Sequence, residues 1–540
     1  MTFDRVPSHN RGVAPGHPWW RQAVVYQVYL RSFADGNGDG TGDIAGIRSR
    51  LPYLRSLGVD AIWINPWYVS PMNDGGYDVA DYRAIDPQFG TMDEAIGLIE
   101  DAKRVGLQVL LDLVPNHTSS EHPWFKEALV SAPGSAARAR YHFRPGRGPK
   151  GSRPPTNWAG MFGGSTWTRV ADGEWYLHLF DQTQPDLNWS SPEVIAEHED
   201  VIRFWLEKGA AGFRVDVANG LVKDPEYPDI GAEGVPVPYS DLDLLHDIVR
   251  DWRKVVDEYE AILVAEAWVE SWDRLANYLR PDEYHQAFEF DFMQAPWDAE
   301  IMKGIIDAAL IGSSGVGSVP TWVLSNHDIV RQVTRYALPQ DVDARAWLLK
   351  GDRSLLDPGL GLRRARAAAL LMLGLPGSAY LYQGEELGLP EVHDLPFEVL
   401  EDPTWVRSRH TRKGRDGCRV PLPWAASGSS FGFGRDGSWL PQPAEWSSLS
   451  VEAQDGVTGS TLELYREAIG LRSRYLVGTA EFGWVAAEGE VLVFDRGEVT
   501  VVVNFGADPV PLPHGEILIT SIPADDGLLP SDGAAWLRPS

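Results

Sequence analysis

The run Pro192-Glu193-Val194-Ile195-Ala196-Glu197-His198-Glu199-Asp200-Val201-Ile202-Arg203-Phe204-Trp205-Leu206-Glu207-Lys208-Gly209 is followed, two alanines later, by Gly212-Phe213-Arg214-Val215-Asp216-Val217. Apolar residues at 194, 195, 201, 202, 205 and 206 recur close to every 3.6 positions, Pro192 opens the run and Gly209 closes it, which reads as a helix. The six residues from Gly212 are short and mostly apolar, as in a strand buried on both faces of a parallel sheet. Arg214 and Asp216 interrupt that run two positions apart, so on a strand they share one face.

Outward from this unit the alternation continues. Short apolar runs at 24–30, 61–64, 107–114, 262–268, 287–292, 321–324 and 378–382 alternate with helical patterns. Eight strands with intervening helices give an α/β fold, a (β/α)8 TIM barrel, although an open doubly wound sheet shares the same alternation. Two stretches break the rhythm. Residues 115–189, rich in Gly, Pro and Trp, are too long for a simple connection and read as an inserted domain after strand three. After the eighth strand comes an irregular excursion, about 390–446, then a helix at 461–475. Val491-Leu492-Val493-Phe494 and the run 499–503, joined by a tight turn, read as strands of a C-terminal antiparallel β domain. The expected division is 1–114 for the first part of the catalytic barrel, 115–189 for the insertion, 190–477 for the rest of the barrel and 478–540 for the β domain.

Composition excludes several classes. The 540 residues are 44% hydrophobic and 23% charged, an ordinary globular balance. Asp and Glu (76) outnumber Lys and Arg (48), for a formal net charge of −28, which repels phosphate backbones and anionic lipid heads. Neither nucleic acid nor membrane is expected as a partner. Cys418 is the one cysteine, so neither an intramolecular disulfide nor a thiolate metal cluster can form. The run near 367–375 is too short to span a bilayer. Residues 1–16 carry no apolar stretch of the secretory kind. The expected setting is cytoplasmic, as a monomer or small homo-oligomer.

Chemistry in such a barrel gathers at the C-terminal ends of the strands. There the sequence places Asp74, Tyr77 and Asp78 after strand two, Asp112, Asn116 and His117 at strand three, Arg214 and Asp216 at strand four, Glu266 at strand five, and Asn326, His327 and Asp328 at strand seven. One such acid reads as a helix cap or a solvated loop residue; all of them at strand ends do not.

Asp112-Leu113-Val114-Pro115-Asn116-His117, Gly212-Phe213-Arg214-Val215-Asp216-Val217, Ala265-Glu266-Ala267-Trp268 and Ser325-Asn326-His327-Asp328 resemble, in order, the four signature regions of the α-amylase superfamily, glycoside hydrolase family 13. Gln184-Pro185-Asp186-Leu187-Asn188 resembles its fifth region, and the likeness runs from about residue 20 to 480. The resemblance implies a retaining exo-α-glucosidase acting on small oligosaccharides. In it, Asp216 is the nucleophile, kept ionised by Arg214, and Glu266 is the acid/base, its proton held by the apolar strand around it. Asp328 is the third carboxylate. His117 and His327 would bond sugar hydroxyls; metal binding is a poor rival, since no further ligand stands at the right spacing. Asp74-Gly75-Gly76-Tyr77-Asp78 resembles the loop of exo-acting members, in which Asp74 pairs with an arginine beyond strand eight, Arg415 or else Arg419. Tyr77 and Phe162 would stack on glucose. Val217, if on a strand, faces away from Asp216.

Asp35-Gly36-Asn37-Gly38-Asp39-Gly40-Thr41-Gly42-Asp43 sets oxygen ligands at alternate positions like an EF-hand loop, but position twelve is Gly46 rather than Glu. Many members of the family carry this loop and bind Ca2+ there. The expectation is a structural Ca2+ (or Mg2+) site through Asp35, Asn37, Asp39, Asp43 and the Thr41 carbonyl, against a metal-free turn. Three other readings stand beside the glucosidase: a transglucosidase or sucrose-isomerase-like enzyme with the same acids, an endo-acting amylase, and a non-catalytic transporter heavy chain. Asp74 and Arg415 speak against the amylase. The full set of acids and the absence of a membrane run speak against the heavy chain.

Overall fold

A computed structural model describes residues 18–231, 237–479 and 481–539. The N-terminal stretch weighed above for a signal lies outside the described residues. Eight parallel strands close into a barrel: Val24–Val28, Ala61–Ile64, Gln108–Leu113, Gly212–Val215, Ile262–Ala265, Gln286–Glu289, Thr321–Val323 and Ser378–Tyr382. Each pairs with its neighbours in chain order, and the first closes on the eighth through Val25 opposite Tyr380. Closure settles the choice between barrel and open sheet. Inside, Val25, Ala61, Trp63, Leu110, Ile262, Val264, Phe288, Val323 and Tyr380 fill the lumen as one buried cluster, so the barrel is packed rather than open.

The helix Pro192–Glu207 buries Val194, Val201, Ile202, Trp205 and Leu206 on the face its periodicity marks. Between the third and fourth strands the chain builds a small antiparallel sheet from Phe143–Pro145, Trp167–Arg169 and Glu174–Leu177. At the C-terminal end a five-stranded antiparallel sheet includes the hairpin Val491–Arg496 and Val499–Asn504. It docks on the barrel helix Pro358–Gly374 through Trp536, whose indole donates to the Leu370 carbonyl at 3.0 Å. No described helix is long and apolar enough to cross a membrane.

Several expected strands end early, the first at Val28 and the fourth at Val215 among them. The fifth stops at Ala265, which frees Glu266, and the sixth stops at Glu289, where Phe290–Gln294 turns into a helix. A short buried apolar run does not by itself distinguish strand from helix.

Candidate active site

Arg214 stands at the centre of the barrel mouth. It is buried over the Trp63 ring, its guanidinium carbon 5.0 Å from the centroid. Its Nη1 donates to Asp112 Oδ1 (2.8 Å) and Asp216 Oδ1 (2.6 Å), and its Nη2 pairs with Glu266 Oε2 at 2.8 Å. Three strands thus bring three carboxylates to one cation. Burial pushes the Asp216 carboxyl well up, Arg214 pulls it down, and Glu266 and Asp112 push it up again. The Arg214 cation expected beside Asp216 is there, and it is shared with Asp112 and Glu266. Asp112 is likewise raised to about 6 by burial, against the pull of Arg214. Glu266 follows buried Val264 and Ala265, the apolar strand expected of it, and Arg214 lies against it as well.

Directly after Asp216 the backbone reverses. Val217 has φ 47°, a left-handed conformation that is costly for a β-branched residue. The reversal aims the Val217 N–H at Glu266 Oε2, 3.0 Å away. Hence Val217 is not on the strand, and its side chain lines the cavity rather than facing away. Gly220 accommodates the turn: a Cβ there would come within 2.6 Å of Val217 Cγ1.

One wall of the cavity is ionic. Arg415 Nη2 pairs with Asp74 Oδ1 at 2.6 Å and its Nη1 with Asp328 Oδ1 at 3.0 Å, while its Nε is held by buried Asp402. Arg419 Nη2 reaches the same Asp328 oxygen at 3.0 Å. The two candidate arginines thus divide the work, Arg415 on Asp74 and both on Asp328. Burial pushes Asp74 up to about 6 against the pull of Arg415. Burial works on Asp328 in the same sense, but His327, Arg415, Arg419 and Arg214 outweigh it and hold this acid well below the usual carboxylate range. Because burial drives His327 itself far down, it is neutral near pH 7 and the arginines carry that effect.

The structure gathers Asp74, Tyr77, His117, Asp216, Glu266, His327, Asp328 and Arg415 around a cavity of about 160 Å3, with Arg214 beneath. Tyr77 stacks on His327 (5.3 Å between centroids, 11°), and its hydroxyl donates to Asp112 Oδ2 at 3.0 Å. His117 Nε2 lies 3.0 Å from the Tyr77 carbonyl and 3.1 Å from Gln184 Nε2, which also donates to Asp74 at 3.0 Å. Burial lowers His117 to about 4. Phe162 does not join the lining. It lies against Arg415, whose guanidinium carbon is 5.0 Å from its ring centroid. Asp78 turns away to cap its own loop, accepting from Ser70 Oγ at 2.8 Å and the Asn73 N–H at 3.0 Å. The lining also includes Met161, Phe180, Asn219, Tyr239 and Trp268, to which the sequence reading gave no role. Of these only Trp268 carried a signal, its place two residues after Glu266.

In the 35–43 loop the acid oxygens accept backbone N–H groups. Asp35 Oδ2 takes Gly40, Asp43 takes Gly36 and Asn37, and Asp39 Oδ1 takes Thr41, all at 2.9–3.0 Å. Among the described residues no three His, Cys, Asp or Glu side chains come together as a metal-holding group. A larger cavity, about 780 Å3, lies at the opposite end of the barrel, lined by Trp19, Arg21, Leu310, Pro376, Arg472 and Phe482 among others. It contains none of the convergent carboxylates, so volume alone does not mark the site.

Comparison with known proteins agrees with this geometry. The catalytic domain of alpha-amylase matches residues 27–479. A probable alpha-glucosidase of Rhizobium meliloti (strain 1021) is 37% identical over 516 residues, 89% of this chain and 88% of that protein. An oligo-1,6-glucosidase of Parageobacillus thermoglucosidasius is 35% identical over 499 residues, 85% of this chain and 84% of its own. The crystal structure of the trehalulose synthase from Pseudomonas mesoacidophila MX-45 superposes with a TM-score of 0.85 at 30% identity, covering 97% of this chain and all of that one.

Proposed function

The chain belongs to the alpha-amylase family and is a glycoside hydrolase; on that premise we propose that it is a retaining exo-α-glucosidase. It releases α-glucose from the non-reducing end of short α-glucosides such as maltose and isomaltose. The observation that carries this reading is the Asp74–Arg415–Asp328 wall across a cavity of about 160 Å3, below the usual range of roughly 300–1,000 Å3 for ligand pockets. An ionic wall at one side leaves room for one terminal sugar and stops a chain from passing through.

The chemistry follows from which oxygens are committed. Arg214 holds Asp216 Oδ1, which leaves Oδ2 to attack the anomeric carbon. Glu266 gives a proton to the departing oxygen, then takes one from the water that releases glucose. Both acids sit on the two prongs of one guanidinium, a spacing that favours direct attack over an intervening water. Asp328, charged by its arginines, stabilises positive charge at the ring and accepts from sugar hydroxyls. Maltohexaose tests the wall: early products should be glucose and the chain one unit shorter, whereas early maltose or maltotriose would overturn an exo mode. A glucosyl-transferring or sucrose-isomerising enzyme is the second reading, favoured by the likeness to the trehalulose synthase. Isomeric disaccharides from sucrose would select it.

For the 35–43 loop we propose a structural Ca2+ (or Mg2+). The donors are hard oxygens at alternate positions, the chemistry such ions take, and Asp35, Asn37, Asp39, Asp43 and the Thr41 carbonyl would hold it. Its role would be to brace the connection after the first strand.

A further inference from the structure

Beneath the cavity floor runs a chain of buried polar groups whose direction is fixed at one end. That end is Asp112. Its Oδ2 accepts from the Trp63 indole at 3.0 Å, a group that can only donate, and from the Tyr77 hydroxyl at 3.0 Å. Asn65 turns its Nδ2 to the same place, 2.5 Å from the Tyr77 oxygen and 3.5 Å from Asp112 Oδ2. An amide oxygen there would face a carboxylate, so the nitrogen belongs on that side and Asn65 Oδ1 points the other way.

Asn65 Oδ1 faces Gln27, on the first strand. An acceptor there demands a donor, and Gln27 supplies Nε2 at 3.0 Å. The same Nε2 lies 2.7 Å from His327 Nδ1. Gln27 Oε1 has no side-chain or backbone partner among the described residues, so Asn65 sets the orientation of this amide. With an N–H aimed at it, His327 Nδ1 must accept. A neutral imidazole then carries its one proton on Nε2.

The ring cannot turn to escape this arrangement. Tyr77 stacks on one side of it and Tyr29 on the other, with the Tyr29 centroid 5.8 Å away and its plane tilted by 25°. His327 Nε2 lies 3.4 Å from Asp328 Oδ2. The other oxygen of Asp328 is taken by Arg415 and Arg419.

We infer that Gln27, oriented by Asn65, is a positioning residue that holds His327 in the tautomer protonated on Nε2, so that the imidazole donates into the cavity rather than accepting there. On the glycosidase reading above, one sugar hydroxyl accepts from His327 Nε2 and donates to Asp328 Oδ2. The first strand, which contributes no group to the cavity lining, thereby sets the polarity of that contact.

Neutron diffraction from crystals of the unaltered protein at pH 7 reads the tautomer without any substrate. Hydrogen should appear on His327 Nε2 and not on Nδ1. Hydrogen on Nδ1, alone or together with Nε2, would overturn the inference. A double-mutant cycle on p-nitrophenyl α-glucoside then asks whether Gln27 acts through His327. Gln27→Met keeps the bulk and removes the amide, and should lower kcat/KM by about twofold to tenfold, the size of one hydrogen bond. His327→Phe keeps a ring between Tyr29 and Tyr77 and removes both nitrogens. In that background Gln27→Met should change kcat/KM by less than about twofold, since its effect has lost its route. The same loss in both backgrounds, or no loss in either, would overturn the positioning role and leave Gln27 a packing residue. A protein that does not cleave the glucoside would overturn the proposed function, while the neutron result would still decide the tautomer.

Discussion

Two acid-rich stretches of this protein are built in opposite ways. At the barrel mouth Asp74, Asp216, Glu266 and Asp328 each rest against an arginine, which for all but Asp216 comes from a distant part of the chain. In the 35–43 loop Asp35, Asp39 and Asp43 rest against backbone N–H groups of the loop itself. Acids gathered by side-chain cations come from four separated segments and converge on one cavity. Acids tied to neighbouring amides organise only their own turn. The first arrangement is suited to chemistry and the second to architecture, a difference that local composition does not disclose.

That contrast can be broken at either end. The largest effect should come from Asp216→Asn, which removes the attacking oxygen and should cost on the order of 10⁴-fold or more in kcat, with Tm little changed. A variant that keeps substantial activity would dissolve the contrast. Glu266→Gln should cost about 10²–10⁴-fold on maltose but far less on α-glucosyl fluoride; equal losses would remove Glu266 from the acid role.

The ionic wall comes next. Asp74→Ala should lose a charge-assisted contact worth roughly 1.5–3 kcal/mol in kcat/KM. Burial holds Asp74 and Asp112 near 6 and raises Asp216 as well. The site needs these acids ionised, and a raised acid is protonated below its own value. kcat/KM should therefore fall as pH drops through about 6. An acidic limb near pH 4 would contradict the burial argument.

Smallest for activity, and confined to stability, is the loop. Exhaustive chelation should lower Tm by linkage while leaving turnover at low temperature nearly intact. An unchanged melt, with metal loss verified, would leave the loop a self-capped turn.

What the sequence showed, and where it stopped, follows the same division. The strand positions were readable because parallel barrel strands are buried on both faces and appear as apolar runs. Charged residues at their ends then stand out as exceptions. The conformation of Val217 was not readable: its reversal is imposed by a hydrogen bond to Glu266, 49 residues away in sequence. Phe162 could be recognised as an aromatic near the site, but only three-dimensional packing shows the Arg415 guanidinium against its ring. Trp268 was in plain view beside Glu266, yet its stacking partner Phe290 belongs to a segment that reads as strand and folds as helix.

The central claim is that the carboxylates on Arg214 divide the work, Asp216 as nucleophile and Glu266 as acid. Trapping with 5-fluoro-α-glucosyl fluoride, followed by mass spectrometry of the digested protein, tests it most directly. The glycosyl label should sit on the peptide that contains Asp216 and map to that residue. A label on Glu266 or Asp328 would contradict the assignment, as would a turnover that releases β-glucose with no covalent adduct at all.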